Sequence, residues 1–135
     1  MVKYTLKVIV EGSDNLEGEI LVFNHPISFL GDFDPKTGEV KDPNSPHHGK
    51  TVKEKIIAIP AGRGSTVGSY IIYAMAKNGT APKAILAGKA EPIIITGAVI
   101  SNLPLAEGLP KEFFRHPRTI KGVYNAKTGE LNTEE

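Results

Sequence analysis

Residues 55–59 form a short continuous apolar run closed by Pro60, and from Thr66 to Asn78 the apolar side chains recur at helical spacing. The segment across that boundary, Ala61-Gly62-Arg63-Gly64-Ser65-Thr66-Val67-Gly68-Ser69-Tyr70, must therefore turn a strand into a helix. A short apolar run bounded by a breaker reads as a strand buried on both faces. Val67, Tyr70, Ile71, Ala74 and Asn78 fall on one helical stripe, Ser65 stands at the N-cap position, and Asn78-Gly79 supplies a stop. Glycine lets a backbone come close to a ligand, and the free N–H groups of a first helical turn point at negative charge. The same glycines could instead serve only tight strand–helix packing, with Ser65 as a cap. Arg63 weighs toward an anion cradle, because a guanidinium beside free amides matches a carboxylate or phosphate.

The rest of the chain reads as many short elements separated by 14 glycines and 10 prolines. Strands are predicted over 3–10, 17–23, 83–87, 92–98 and 119–124, the fourth from its β-branched Ile93-Ile-Ile-Thr96. Between them, 25–50 is a long irregular stretch with a tight hairpin at Asp34-Pro-Lys-Thr-Gly38-Glu-Val40. The Phe113-Phe114 segment has no predicted element, and the tail beyond Leu131 is expected to fray. The expected fold class is α/β, mostly β with one principal helix, in one compact domain over 1–135.

Composition excludes several classes. Sixteen Lys+Arg against 15 Asp+Glu give a net charge of +1, with no basic run, so nucleic acid is not an expected partner. The longest apolar stretch, 92–100, is too short to span a bilayer, and the chain enters a strand without a leader-like segment. A soluble, cytoplasmic protein is expected. There is no cysteine, which removes disulfides, thiol catalysis and any thiolate-held iron–sulfur cluster carried by this chain alone.

The turn at 61–70 fits none of the common phosphate or nucleophile motifs. A P-loop needs Lys after its last glycine, and Ser69 follows Gly68. The glycines run G-x-G-x-x-x-G instead of the dinucleotide spacing, and Arg63 stands where a hydrolase elbow needs glycine. Elsewhere, His47-His48 reads as a solvated loop, because adjacent histidines diverge on an extended chain and no third ligand lies nearby. His25 and His116 read as loop residues, Asp34 as a turn cap, and no metal site is expected.

Taken together, Ile27-Ser-Phe-Leu-Gly31-Asp-Phe-Asp-Pro35, Thr37-Gly-Glu-Val40, Asp42-Pro43 and Pro60-Ala-Gly-Arg-Gly-Ser65-Thr-Val-Gly-Ser69 resemble the small subunit of the aconitase X family. The landmarks run in order from about residue 20 to 100. The resemblance implies a swivelling β/β/α domain made as a separate polypeptide. It also implies a large aconitase-like subunit that carries a [4Fe-4S] cluster and most of the substrate site. It places the catalytic base at Ser65, substrate contacts at Arg63, Gly64, Thr66 and Ser69, and cleft-lining or partner-facing positions at Ser28, Gly31 and Asp32. The strings are most like archaeal members, which implies dehydration of (R)-5-phosphomevalonate; a hydroxyproline dehydratase is the alternative within the family. A binding or regulatory module using the same cradle without chemistry is the alternative outside it.

Overall fold

A computed structural model describes residues 1–64 and 67–135. Among the described residues, eight strands form one sheet: β1 (Val2–Thr5), β2 (Lys7–Val10), β3 (Leu16–Val22), β4 (Ile56–Ile59), β5 (Ala84–Ala87), β6 (Leu105–Glu107), β7 (Arg118–Tyr124) and β8 (Glu130–Thr133). Their spatial order is β1-β8-β7-β3-β4-β5-β6-β2. β3, β4, β5 and β6 run parallel, while β7, β8, β1 and β2 add antiparallel.

The two outermost strands of that order, β1 and β2, are consecutive in sequence and separated by Leu6 alone. One residue spans only about 7 Å between its neighbours' Cα atoms. The two edges must therefore meet, and the sheet rolls into a nearly closed barrel. The predicted single strand over 3–10 is thus two strands broken at Leu6, whose N–H turns to donate to the Gly129 carbonyl at 2.8 Å.

Alternation along the strands divides the apolar residues between two cores. Ile20, Val22, Ile56, Ala58, Ala84, Leu86 and Ala106 point into the barrel with Leu6, Tyr124 and Leu131. Leu21, Phe23, Ile57, Ile59, Ile85, Ala87 and Leu105 point outward, under the helices. β4 and β5 are buried along their whole length, as their unbroken apolar runs require.

The parallel strands are joined by helices. α1 (Phe29–Asp32) follows β3, α2 (Val67–Asn78) links β4 to β5, and α3 (Pro92–Ser101) links β5 to β6. The strand expected at 92–98 is therefore a helix. Pro92 occupies its first turn after the extended Glu91, and Asn102 closes it in the left-handed region at φ 53°. The local β-branched preference of Ile93-Ile-Ile-Thr96 yields to topology, because parallel neighbours need a crossover and a helix supplies it. Gly97 permits the close crossing of α2 and α3, since a Cβ there would lie 2.7 Å from Ile72 Cδ1.

The tail is also ordered. Asn132 and Thr133 lie in β8, paired with Lys3 and Val2, and Glu135 bonds Arg118 at 2.5 Å. The unplaced phenylalanines sit in a 3₁₀ turn, Lys111–Phe114, that closes one side of the barrel core. There Phe113 meets Tyr4 edge-on at 5.2 Å and the Arg118 guanidinium over its ring at 4.8 Å. Within the long stretch after β3, the predicted hairpin forms through a Phe33–Val40 bridge. Asp34 caps it by accepting the Lys36 N–H at 2.9 Å.

Candidate functional site at the glycine-rich turn

The turn leaves the C-terminal end of β4, where the chain after β3 still runs beside it. Ile27 N–H donates to the Ala61 carbonyl and Arg63 N–H donates to the Ile27 carbonyl, both at 2.9 Å. This parallel bridge between Ile27 and Gly62 holds the two segments in register and brings Ser28 against Gly64. Ser65 and Thr66, the expected base and one expected substrate contact, lie outside the described residues.

Each glycine of the turn has a separate reason. A Cβ on Gly62 would lie 2.9 Å from Ile94 Cγ1 and closer still to Cδ1, so the turn touches the start of α3 only if residue 62 has no side chain. Gly64 has φ +108°, a region that favours glycine, and a Cβ there would also come within 3.1 Å of Ser28 Oγ. Gly68 approaches Ile93, at 3.2 Å for a Cβ, where α2 meets α3. Two of the three glycines thus serve packing, and Gly64 serves the shape of the turn.

Of the expected site residues, the fold brings Ser28, Gly31, Asp32, Arg63 and Gly64 together. Arg63 and Gly64 are exposed, Gly31 is exposed, and Ser28 is half-buried. The Arg63 guanidinium makes no ion pair among the described residues, so it is available to an anion. Ser69 is half-buried on α2, with its backbone against Gly97 of α3.

Asp32, expected to line a cleft or face a partner, is instead 3% exposed. Its Oδ2 accepts the Ser28 N–H at 2.8 Å, which ties the start of α1 to its end. Oδ1 is buried without a hydrogen-bond partner among the described residues. Burial pushes the carboxyl above its ordinary value, against the lowering effect of the Ser28 N–H and of the His25 and Arg63 charges.

The His47-His48 pair also departs from expectation. His48 is exposed, but His47 is 2% exposed and its Nε2 donates to the Val22 carbonyl at 2.7 Å. The loop folds back over the end of β3, and the imidazole packs on Phe23 with ring centroids 4.8 Å apart. It is a core histidine rather than a solvated one.

Sequence reasoning missed Glu91. It precedes α3, and its buried Oε1 lies 3.5 Å from where a Gly62 Cβ would be, with no hydrogen-bond partner among the described residues. An acidic residue directly before a helix-opening proline would have signalled it, had 92–98 been read as a helix. Among the described residues, no three His, Cys, Asp or Glu side chains converge as a metal site, and no helix is long and apolar enough to cross a membrane.

A rolled, mixed sheet with two crossover helices and an exposed glycine-rich turn at its C-terminal end defines a swivel domain of the aconitase type. Residues 3–131 match the aconitase X swivel domain, and the chain belongs to that family. It is similar to the phosphomevalonate dehydratase small subunit of Pyrococcus abyssi, 47% identical over 120 residues that cover 89% of this chain and 91% of the relative. The protein of the same name from Thermococcus onnurineus is 53% identical over 119 residues, covering 88% and 90%. The crystal structure of Thermococcus kodakaraensis aconitase X, in its holo-form, superposes with a TM-score of 0.89 at 43% identity, covering 100% of both chains.

Proposed function

We propose that this chain is the small subunit of a heteromeric hydro-lyase that dehydrates (R)-5-phosphomevalonate to trans-anhydromevalonate 5-phosphate in a mevalonate pathway. The observation that carries the reading is near-full-length identity of 47–53% to phosphomevalonate dehydratase small subunits. Arg63, exposed within the turn at 61–69 and without an ion pair among the described residues, supports it. The reaction removes the proton α to the carboxylate, that electron pair becomes the new C=C bond, and the β-hydroxyl leaves as hydroxide, so that proton and hydroxide together make up the one water released overall.

In this reading Ser65 accepts the proton. A serine hydroxyl is a weak base, so its alkoxide must be stabilised by N–H dipoles and positive charge. The start of α2 and the Arg63 guanidinium supply that environment. Arg63 serves either the alkoxide or a substrate anion. Gly64, Thr66 and Ser69 contact substrate, with Ser28 and Gly31 lining the same opening. This chain has no cysteine to hold an iron–sulfur cluster. Membership of the aconitase X family implies that a [4Fe-4S] cluster and most of the substrate site belong to a large aconitase-like subunit.

Anaerobic mixing of the purified chain with that large subunit tests the reading. Consumption of 5-phosphomevalonate should require both polypeptides. Turnover by this chain alone, or a complex that dehydrates hydroxyproline and not 5-phosphomevalonate, would overturn it.

A further inference from the structure

A second opening lies at the same end of the sheet, on the barrel side of the turn. It is a groove of about 710 Å³ beside Pro60 and Gly88, past the C-terminal ends of β4 and β5. Small-molecule sites occupy clefts of roughly 300–1,000 Å³. Its floor is apolar, formed by Leu109 and Phe114. Its rim carries Lys89, Lys111 and Arg115, with Asn24 and a single carboxylate, Glu112.

Those three cations are exposed and make no ion pair among the described residues, so the groove holds three cations against one carboxylate. In a chain of net charge +1, this is a local excess that the overall composition does not require. The groove is also tied to the turn. Gly88 N–H donates to the Ile59 carbonyl at 2.9 Å and Lys89 N–H to the Pro60 carbonyl at 3.1 Å. A Cβ on Gly88 would lie 2.7 Å from the Pro60 carbonyl oxygen and 3.2 Å from the Phe114 ring, so only glycine seats this loop against the floor.

We propose that this groove is a phosphate subsite: Lys89, Lys111 and Arg115 hold the phosphate group of a phosphorylated small molecule, and Leu109 and Phe114 carry its carbon chain. Two ammonium point charges and one planar guanidinium fork suit a dianion, and the floor suits methylene groups. The identity of the phosphate carrier, 5-phosphomevalonate, rests on the proposed function; the subsite itself does not.

The test has two arms. The isotope-labelled full chain is titrated with inorganic phosphate, and in parallel with chloride at matched ionic strength, while backbone amide shifts are recorded. Phosphate should move the amides of Gly88, Lys89 and 111–115 saturably. Chloride should not, and Lys89→Ala with Arg115→Ala should abolish the effect. In the complex with its large subunit, the triple variant Lys89→Ala, Lys111→Ala, Arg115→Ala should raise KM for 5-phosphomevalonate about 10- to 100-fold, with kcat changing far less. Shifts confined to Arg63 and Gly64, or shifts that chloride reproduces, would overturn the subsite; saturable groove shifts with an unchanged KM would overturn 5-phosphomevalonate as its occupant. A complex that never turns over 5-phosphomevalonate would refute the proposed function, and the phosphate titration would still decide the groove.

Discussion

Gly62→Ala tests the packing that fixes the turn. The new methyl carbon would lie 2.9 Å from Ile94 Cγ1 and nearer still to Cδ1, whereas carbon atoms rest about 3.5–4.0 Å apart. Ile94 is 2% exposed and cannot swing into solvent. The backbone at 62 cannot retreat freely either, because the bridge to Ile27 holds it on both sides. Overpacking of this kind costs about 1–3 kcal/mol. Gly62 is not among the glycines with positive φ, so alanine recovers about 0.4–1 kcal/mol through the unfolded chain. The middle of each range gives an expected net loss of about 1.3 kcal/mol. Ile94→Ala alone should cost about 2–5 kcal/mol by leaving a cavity, yet it removes both clashing carbons. The double variant should therefore be more stable than the sum of the singles implies, by about 1–3 kcal/mol. Urea denaturation of the four proteins reads this directly, provided their m values agree. Additivity within about 0.5 kcal/mol, or a Gly62→Ala variant as stable as the parent, would refute the packing argument.

Two further outcomes follow from buried polar groups. Burial holds the His47 imidazole below its ordinary value of 6.5, the nearby Lys50 and His25 charges press the same way, and the bond to Val22 opposes them. The unfolded chain then takes up the proton first, so unfolding free energy should fall as pH drops below about 6.5, and His47→Gln should flatten that slope in denaturation curves taken from pH 7 to 5.5. The Tyr124 hydroxyl is buried with no hydrogen-bond partner among the described residues, and burial pushes its pKa up to about 12. Tyr124→Phe should therefore leave stability unchanged or raise it by about 1 kcal/mol in thermal unfolding; a clear loss would show that the hydroxyl is bonded.

The strand–turn–helix unit was legible because its signals are local. The apolar run at 55–59 and the stripe beginning at Thr66 correspond to β4 and to α2, described from Val67. What escaped depends on contacts distant in sequence. Ile93-Ile-Ile-Thr96 has strand propensity, and only the parallel pairing of β5 with β6 makes it the crossover helix. The break at Leu6 is invisible without the closure of the barrel. His47 is buried only because its loop returns to Phe23, a neighbour 24 positions earlier. The groove cations at 89, 111 and 115 meet through the ends of β4 and β5, and no spacing in the sequence announces them. The family strings named Arg63, Gly64 and Ser28, and the Ile27–Gly62 bridge sets these positions side by side. They could not foresee that Asp32 would turn inward to hold α1.

The central claim is that the turn after β4 performs chemistry through Ser65, and the turnover number of the reconstituted complex bearing Ser65→Ala tests it most directly. If Ser65 is the base, kcat for 5-phosphomevalonate should fall on the order of 10²–10⁴-fold. The complex should still assemble at its normal size, since even removing a serine from the expected N-cap position costs only about 1 kcal/mol. Near-normal turnover by Ser65→Ala in an intact complex would contradict the account.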